Sequence, residues 1–90
     1  MSIKVHLYSS LQTYTGGQGV VDVQGSTVGE CLRDLVRLFP RLKTQIFAED
    51  GQIRSTVFVS INLDSPYAEK QEKPVAQTDE LYVVLIIVGG

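Results

Sequence analysis

The stretch that decides the fold is the end of the chain, Leu81-Tyr82-Val83-Val84-Leu85-Ile86-Ile87-Val88-Gly89-Gly90. Its first eight residues are β-branched, aromatic or aliphatic, so they predict the most hydrophobic strand of the protein. A strand of this composition suits the centre of a sheet, and we expect it beside the first strand. Two glycines follow at once, an ending that chance places on roughly 0.5% of sequences. Because glycine lacks a Cβ, this ending predicts a flexible tail whose carboxylate enters a narrow channel.

Length, charge and cysteine content restrict the class of protein. A chain of 90 residues with a net charge of −2 and 43% hydrophobic residues is typical of one globular domain, here residues 1–90. The slightly acidic composition predicts no nucleic-acid partner. One cysteine excludes an intrachain disulfide and a four-cysteine zinc site. The terminal apolar run is too short to cross a bilayer, and no signal-peptide pattern is present, so we expect a cytoplasmic protein without a membrane partner.

The N-terminal part predicts a β-hairpin. Residues 3–8 alternate apolar and polar side chains, which is the period of a half-buried strand. A second strand is predicted over residues 20–23, with Val21 and Val23 pointing inward. The glycine-rich residues 15–19 between them favour positive φ and predict the connecting turn.

A helix is predicted from residue 27 onward. Thr27 and Glu30 fit a capping box, in which the Thr27 side chain caps the helix and the Glu30 carboxylate accepts from the Thr27 amide. Pro40 ends the helix, because the residue before a proline is driven out of the α region. The apolar stripe of this helix consists of Val28, Cys31, Leu32, Leu35, Val36 and Phe39.

The order of the remaining elements predicts the fold class. Residues 56–63 alternate as a third strand, with Val57, Val59 and Ile61 toward the core, and the polar residues 64–77 predict a loop with at most one short element. Strand, strand, helix, strand and strand is the order of an α+β fold, here a mixed four- to five-stranded sheet with one main helix packed on one face. The other face of the sheet is then open to water or to a partner.

That open face is a candidate interface. By strand parity, Tyr8, Phe58, Tyr82 and Val84 point away from the helix and form an apolar and aromatic patch of the kind found at protein interfaces. Two alternatives stay open: the loop folds over the patch, or the register slips by one residue and turns the patch inward. The predicted partner-binding residues are Tyr8, Phe58, Tyr82, Val84, Ile86 and Val88.

Other reactive side chains favour structural roles. Cys31 lies on the apolar stripe, where a free cysteine behaves as a small hydrophobe. His6, the single histidine, is expected on the open face, and the row Arg33, Arg37 and Arg41 is expected on a solvated helix face. We find no catalytic constellation and no metal-binding pattern, so the sequence does not predict an enzyme.

The order of the elements and several short segments of the sequence resemble those of a known family. The order of elements resembles the β-grasp fold of ubiquitin, and the ending from Asp79-Glu80-Leu81 to Gly89-Gly90 is similar to the ThiS/MoaD-type ubiquitin-like sulfur carriers. These include the small subunits of molybdopterin synthase and the carriers for thiamine synthesis. Thr15-Gly16-Gly17-Gln18, the cap at Thr27 and Val59-Ser60-Ile61-Asn62 also resemble the carriers that serve cysteine or homocysteine synthesis. Many relatives have a proline before the terminal segment, where this chain has Leu85-Ile86-Ile87-Val88.

The resemblance implies a function for the tail. An E1-like adenylating enzyme would use ATP to activate the Gly90 carboxylate, and a sulfur donor enzyme would then convert the adenylate into a thiocarboxylate. A sulfur-accepting synthase would receive the sulfur, while Gly89 gives the tail passage through a narrow channel. The carrier itself would bind no cofactor.

Three roles and several pathways stay open at this point. The chain is interpreted first as a free sulfur carrier, with the small subunit of a molybdopterin synthase as a related role. A ubiquitin-like protein modifier, or a non-catalytic interaction module, is the alternative from another class. The sulfur could be destined for molybdopterin, thiamine, cysteine, homocysteine or thiolated tRNA.

Overall fold

The computed structural model describes residues 2–62 and 70–85 of the chain. In this part the chain folds into one sheet with helical segments on one side. The strands are β1 (Ile3–Leu7), β2 (Val20–Val23), β3 (Val57–Ile61) and β4 (Glu80–Leu85); the helices are α1 (Ser9–Gln12), α2 (Val28–Leu38) and α3 (Lys43–Ile46), with 3₁₀ turns over Thr13–Thr15 and Pro40–Leu42.

The sheet has four strands in the order β2-β1-β4-β3 within the described residues. β4 runs parallel to β1 and antiparallel to β3, so the last strand lies at the centre beside the first. β1 and β2 pair antiparallel, with Val5 opposite Val21. The predicted mixed α+β sheet and the central place of the last strand are therefore confirmed.

The core lies between the sheet and α2. Every second residue of β1 is buried, as are Leu81 and Val83 of β4, whereas Leu85 at the end of β4 is half-buried. α2 contributes the side chains of its predicted stripe, with Val36 and Phe39 half-buried at its edge. The predicted strand parity is thus confirmed, and the slipped register is wrong. Ile61 differs from the prediction: it is only half-buried, because β3 ends there and Asn62 turns the chain away with φ +56°.

The connection between β1 and β2 is longer than the predicted turn. β1 ends at Leu7, and α1 and a 3₁₀ turn follow before the chain reverses. Leu11 of α1 is completely buried, so this segment closes one end of the core. The reversal itself uses Gly16 and Gly17 at φ +67° and +92°, a region in which a side chain would be strained.

The N-terminus of α2 is capped from two sides. Thr27 Oγ1 accepts from the Glu30 amide at 3.1 Å, as predicted. The Glu30 carboxylate, however, accepts from the amide and the hydroxyl of Ser26, each at 2.9 Å, so its predicted bond to the Thr27 amide is wrong by one residue. The chain enters the helix from Ser26 in a direction that brings this earlier amide closer to the carboxylate.

The described end of the long loop covers the helix rather than the sheet. The carbonyls of Lys73 and Gln71 accept from the Val28 and Gly29 amides, each at 2.9 Å, so they satisfy two donors that the first turn of α2 cannot pair internally. Residues 70–75 therefore lie against the start of α2. In the described part of this loop, nothing supports the alternative in which it folds over the open face.

Candidate docking face

The open face of the sheet carries most of the exposed apolar surface. Four of the five large hydrophobic side chains that are exposed among the described residues belong to it, and Tyr8 and Val84 are 57% and 37% exposed. The fifth, Leu38, lies at the end of α2. Sequence reasoning missed one member, Val20, although the parity of β2 places it outward. The exposed members on the face are Tyr8, Val20, Phe58 and Val84.

Strand register brings the predicted residues into one row. Phe58 pairs with Val84 across β3 and β4, and the Tyr8 amide donates to the Val83 carbonyl at 3.1 Å, which sets Tyr8 beside Val84. Tyr82 is half-buried in the same strand and lies next to Ser60. The structure thus unites four predicted partner-binding residues on one surface. Ile86, Val88, Gly89 and Gly90 lie outside the described residues.

A shallow hollow of about 170 Å³ opens on this surface. The rings of His6 and Tyr82 line it and stack on each other, with centroids 4.3 Å apart and planes 9° from parallel. Tyr8 and Val84 complete its apolar walls. The hollow is therefore a recess lined by aromatic and aliphatic side chains on the candidate face.

Two polar contacts lie on the same face of the sheet. The His6 imidazole and the Glu80 carboxylate form a hydrogen bond of 2.5 Å between Nε2 and Oε1. Lys4 reaches Asp22 at 3.4 Å toward the β2 edge. The sequence predicted His6 on this face, but its pairing with Glu80 depends on the parallel register of β1 and β4 and carries no local signal.

A polar clasp holds the beginning of β4. Asn62 donates to Asp79 Oδ1 and accepts from the Glu80 amide, and the Ala76 amide donates to Asp79 Oδ2, all at 2.8 Å. The backbone bond from Ala76 and then the side-chain bond from Asn62 hold the pKa of Asp79 below its usual value. The clasp ties the end of β3 to the start of β4, so it fixes where the face begins.

Cys31 is not part of any exposed site. Its side chain is fully buried in the core, as predicted, and burial raises the pKa of its thiol to about 11. The thiolate, which is the nucleophilic form, is therefore scarce near neutral pH.

The arginine row on the helix side is engaged locally. Arg33 donates to Gln71 at 3.2 Å, and Arg37 donates to Asp34 at 2.9 Å. Arg41 lies over the Tyr14 ring, 5.6 Å from its centroid.

Across residues 2–62 and 70–85, no three carboxylate, imidazole or thiol side chains are grouped to hold a metal ion, and no helix is long and apolar enough to span a membrane.

Solved structures share this fold over nearly the whole chain. Small archaeal modifier protein 1 from Haloferax volcanii matches with a TM-score of 0.85 and 28% identity, covering 100% of both chains. A chain of the BexX/CysO complex from Amycolatopsis orientalis matches at 0.82 and 25%, over 98% of this chain and 99% of that one. CysO from Mycobacterium tuberculosis, at 0.81 and 19%, covers 94% and 99% and supports the fold alone.

No protein-family model and no curated protein sequence matches the chain. The structural neighbours are small ubiquitin-like carrier and modifier proteins rather than enzymes, which agrees with the interpretation of this chain as a non-enzyme. The chain therefore has the β-grasp fold and is similar to small archaeal modifier protein 1 and to a chain of the BexX/CysO complex, which agrees with its resemblance to the ubiquitin-like sulfur carriers.

Proposed function

We propose that this chain is a sulfur carrier that works through the carboxylate of Gly90. The observation that carries the proposal is the position of β4: it is the central strand of an exposed apolar face, and it leads directly toward Gly89-Gly90. A partner docked on this face would therefore hold the strand that delivers the tail. The likeness to ubiquitin-like carriers supports the same function.

The proposed chemistry needs an enzyme in trans. An oxygen of the Gly90 carboxylate attacks the α-phosphate of ATP, and pyrophosphate leaves to give an acyl-adenylate. A sulfide equivalent from a donor enzyme then attacks the acyl carbon, and AMP leaves with the C–O bond electrons. The product is a thiocarboxylate, which a sulfur-accepting synthase would consume. ATP belongs to the adenylating enzyme, so the carrier contributes the acyl group and the docking face.

The sheet fixes the position of β4, and the residues after it allow the Gly90 carboxylate to extend away from the sheet. The sheet holds β4 rigidly up to Leu85. The five residues that follow can extend at most about 18 Å beyond it. Glycine at the last two positions removes the side chains that would block a narrow channel. A rigid face with a short thin extension is suited to place one carboxylate in an enzyme site.

Intact-mass spectrometry tests this proposal. The chain is incubated with the cognate E1-like adenylating enzyme, ATP and sulfide, and we expect a mass increase equal to exchange of one oxygen for one sulfur. Deletion of Gly90 should abolish the exchange without lowering the thermal unfolding temperature. Cys31→Ala should retain it, because the buried thiol has no part in the transfer. No adenylate and no exchange with the wild-type chain would contradict the proposal.

A second candidate function is protein modification. A neighbour that matches over its entire length is named a modifier protein, which favours this alternative. The activated Gly90 would then be joined to lysine amines through an isopeptide bond. Because no Lys or Arg follows Lys73, trypsin would leave the long C-terminal peptide of this chain on the modified lysines. Such branched peptides from cells, absent when Gly90 is deleted, would identify this activity. The two functions share the activation step and differ in the nucleophile that accepts the acyl carbon.

The receiving pathway depends on the partner. One neighbour is a chain of the solved BexX/CysO complex, and this supports a carrier that docks on a partner protein. We propose that the docking face selects that partner, because the tail chemistry is the same for each candidate product.

A further inference from the structure

We infer that a groove on the helix side of the molecule binds the C-terminal segment Val88-Gly89-Gly90 of a second copy of this chain. The groove lies between α2 and residues 43–51, on the side of the sheet that does not carry the candidate docking face. The inference goes beyond sulfur transfer, because it gives the terminal carboxylate a binding site on the carrier itself.

The groove has a volume of about 250 Å³ and is formed by folded backbone on both sides. One side is α2. The other is a tight turn, in which the Ala48 amide donates to the Gln52 carbonyl at 2.8 Å and the Gly51 amide donates to the Ala48 carbonyl at 3.0 Å. Gln71 donates to the Gly51 carbonyl and accepts from Arg33, both at 3.2 Å, so it joins the turn to the helix. The groove is therefore present before a ligand binds.

Part of the groove is apolar. Val36, Phe47 and Ala48 line it; Val36 and Ala48 are half-buried, and Phe47 is 8% exposed. An aliphatic side chain that enters the groove therefore removes apolar surface from water on both partners, which favours binding.

The charged part of the groove has an excess of cations. Arg33 and Lys43 are exposed and line it together with one carboxylate, Glu49, among the described residues. Neither cation forms an ion pair with a carboxylate of residues 2–62 and 70–85. Because the whole chain has a net charge of −2, this local positive excess distinguishes the groove from the average surface. It favours a ligand with a negative charge.

The end of the chain has the complementary chemistry. Val88 is aliphatic, and the Gly90 carboxylate is negative. The Cα atoms of these two residues lie at most about 7 Å apart, so one groove of this size can contact both. The two glycines have no side chains that would keep the carboxylate away from Arg33 or Lys43.

We assign the tail to a second copy because reach does not restrict it there. Within one chain, Val88 lies at most about 11 Å from Leu85, the last described residue of β4. The groove and the tail are different surfaces, so each copy can use both, and the association is heterologous rather than two-fold symmetric. A contact of so few residues is weak, and we expect it at high protein concentration. If the proposed carrier function holds, a tail bound in a groove is withheld from the adenylating enzyme.

A peptide titration tests the groove on the full chain. The probe is acetyl-Ile-Val-Gly-Gly with a free carboxylate, the sequence of residues 87–90, and the control is the same peptide with a C-terminal amide. We expect the acid to shift the backbone NMR signals of Val36, Phe47 and Gly51 in a saturable manner, and the amide to bind about fivefold more weakly. Equal binding of the two peptides would overturn the inference.

Substitution of one lining cation tests the charge contact. We expect Lys43→Gln to bind the acid peptide about threefold more weakly than wild type, because it removes one of the two cations. Lys73→Gln is the matched control, since Lys73 is an exposed lysine that does not line the groove. Equal affinities of the two variants would overturn the inference.

Sedimentation velocity over a range of concentrations tests the second copy. We expect the sedimentation coefficient of wild type to rise with concentration, and Lys43→Gln and Val88→Asn to reduce the rise. Val84→Asp, which changes the open face, should leave it unchanged. Self-association that Val84→Asp removes and Lys43→Gln retains would assign the contact to the open face and overturn the inference. A chain that stays monomeric at every concentration would overturn it as well.

The two proposals fail in different ways. If the wild-type chain acquires sulfur but stays monomeric and does not bind the acid peptide, the groove inference is wrong and the carrier function stands. If it acquires no sulfur but self-associates through the groove, the carrier function is wrong and the inference stands.

Discussion

At the scale of single residues, Thr27 determines where the main helix begins. Its hydroxyl oxygen accepts from the Glu30 amide, one of the donors that the first turn cannot satisfy internally. The Glu30 carboxylate completes the cap by accepting hydrogen bonds from the amide and the hydroxyl of Ser26. These bonds, the Ser26 amide first, hold the pKa of Glu30 below its usual value. The cap is local, which explains why the sequence predicted it to within one residue.

Removing the cap should weaken the fold. We expect Thr27→Ala to lower the free energy of unfolding by about 1 kcal/mol, the usual cost of losing an N-cap side chain. Urea denaturation followed by circular dichroism measures it. Thr44→Ala is the matched control, since Thr44 is exposed within α3 and alanine is the better helix former there. An equal loss in both variants would contradict the role of the Thr27 cap.

Asp79 makes stability depend on pH. Its folded pKa lies below the unfolded value, so the stabilisation is fully present above the unfolded pKa and is lost as pH falls through the folded one. We expect wild type to lose stability below about pH 4 and Asp79→Asn to be less stable near neutral pH, with the difference shrinking in acid. Urea midpoints across pH measure this. Glu49→Gln should run parallel to wild type, and a parallel Asp79→Asn curve would contradict the prediction.

At the scale of elements, the passage from β2 to α2 depends on a close approach. A Cβ on Gly25 would lie 2.7 Å from the Cys31 amide nitrogen and 2.9 Å from the Glu30 carbonyl carbon, both backbone atoms. Because backbone cannot move aside cheaply, only glycine fits between the strand end and the helix. Residues 70–75 then cover the same helix terminus, so three segments meet at the start of α2.

A side chain at position 25 should destabilise the protein. We expect Gly25→Ala to lower the free energy of unfolding by about 1–3 kcal/mol through overpacking. Gly19→Ala is the control: its Cβ would meet only the flexible end of Gln12, so its effect should stay within about 0.5 kcal/mol. Thermal and urea unfolding compare the two. A smaller effect at Gly25 than at Gly19 would show that the helix start can shift.

At the scale of the whole molecule, we propose separate tasks for the two sides of the sheet. One side and α2 form the core that makes the fold stable. The other side presents the exposed residues Tyr8, Phe58 and Val84 and the recess beside them. Substitutions on this side should therefore change docking more than stability. Natural monomers rarely leave such a face uncovered without a binding function.

A matched pair of exposed residues separates the two tasks. Val84 and Leu38 are 37% and 42% exposed, the first on the open face and the second at the end of α2. We expect Val84→Asp to weaken binding to the adenylating enzyme about tenfold, because it places a charge in a desolvated contact. Leu38→Asp should leave binding unchanged. Calorimetric titration measures both, and equal effects would argue that docking does not use the sheet face.

The sequence by itself determined the features that depend on neighbours along the chain. Strand alternation placed Tyr8, Phe58, Tyr82 and Val84 outward, and the cap and Pro40 bounded the helix, because side-chain period and terminal hydrogen bonds act within a few residues. The glycine pair at the end predicts a carrier function, and this stays a prediction because the structure does not describe those residues.

Only the tertiary structure decided which distant residues meet. The parallel register of β1 and β4 brings Glu80 to His6 across 74 positions, and the loop carbonyls of Gln71 and Lys73 cap a helix that begins more than forty residues earlier. The helical insert after β1 likewise followed from closing the core with Leu11 rather than from a local signal. Such contacts arise from sheet register and packing, and no periodicity within one segment encodes the segment that it will face.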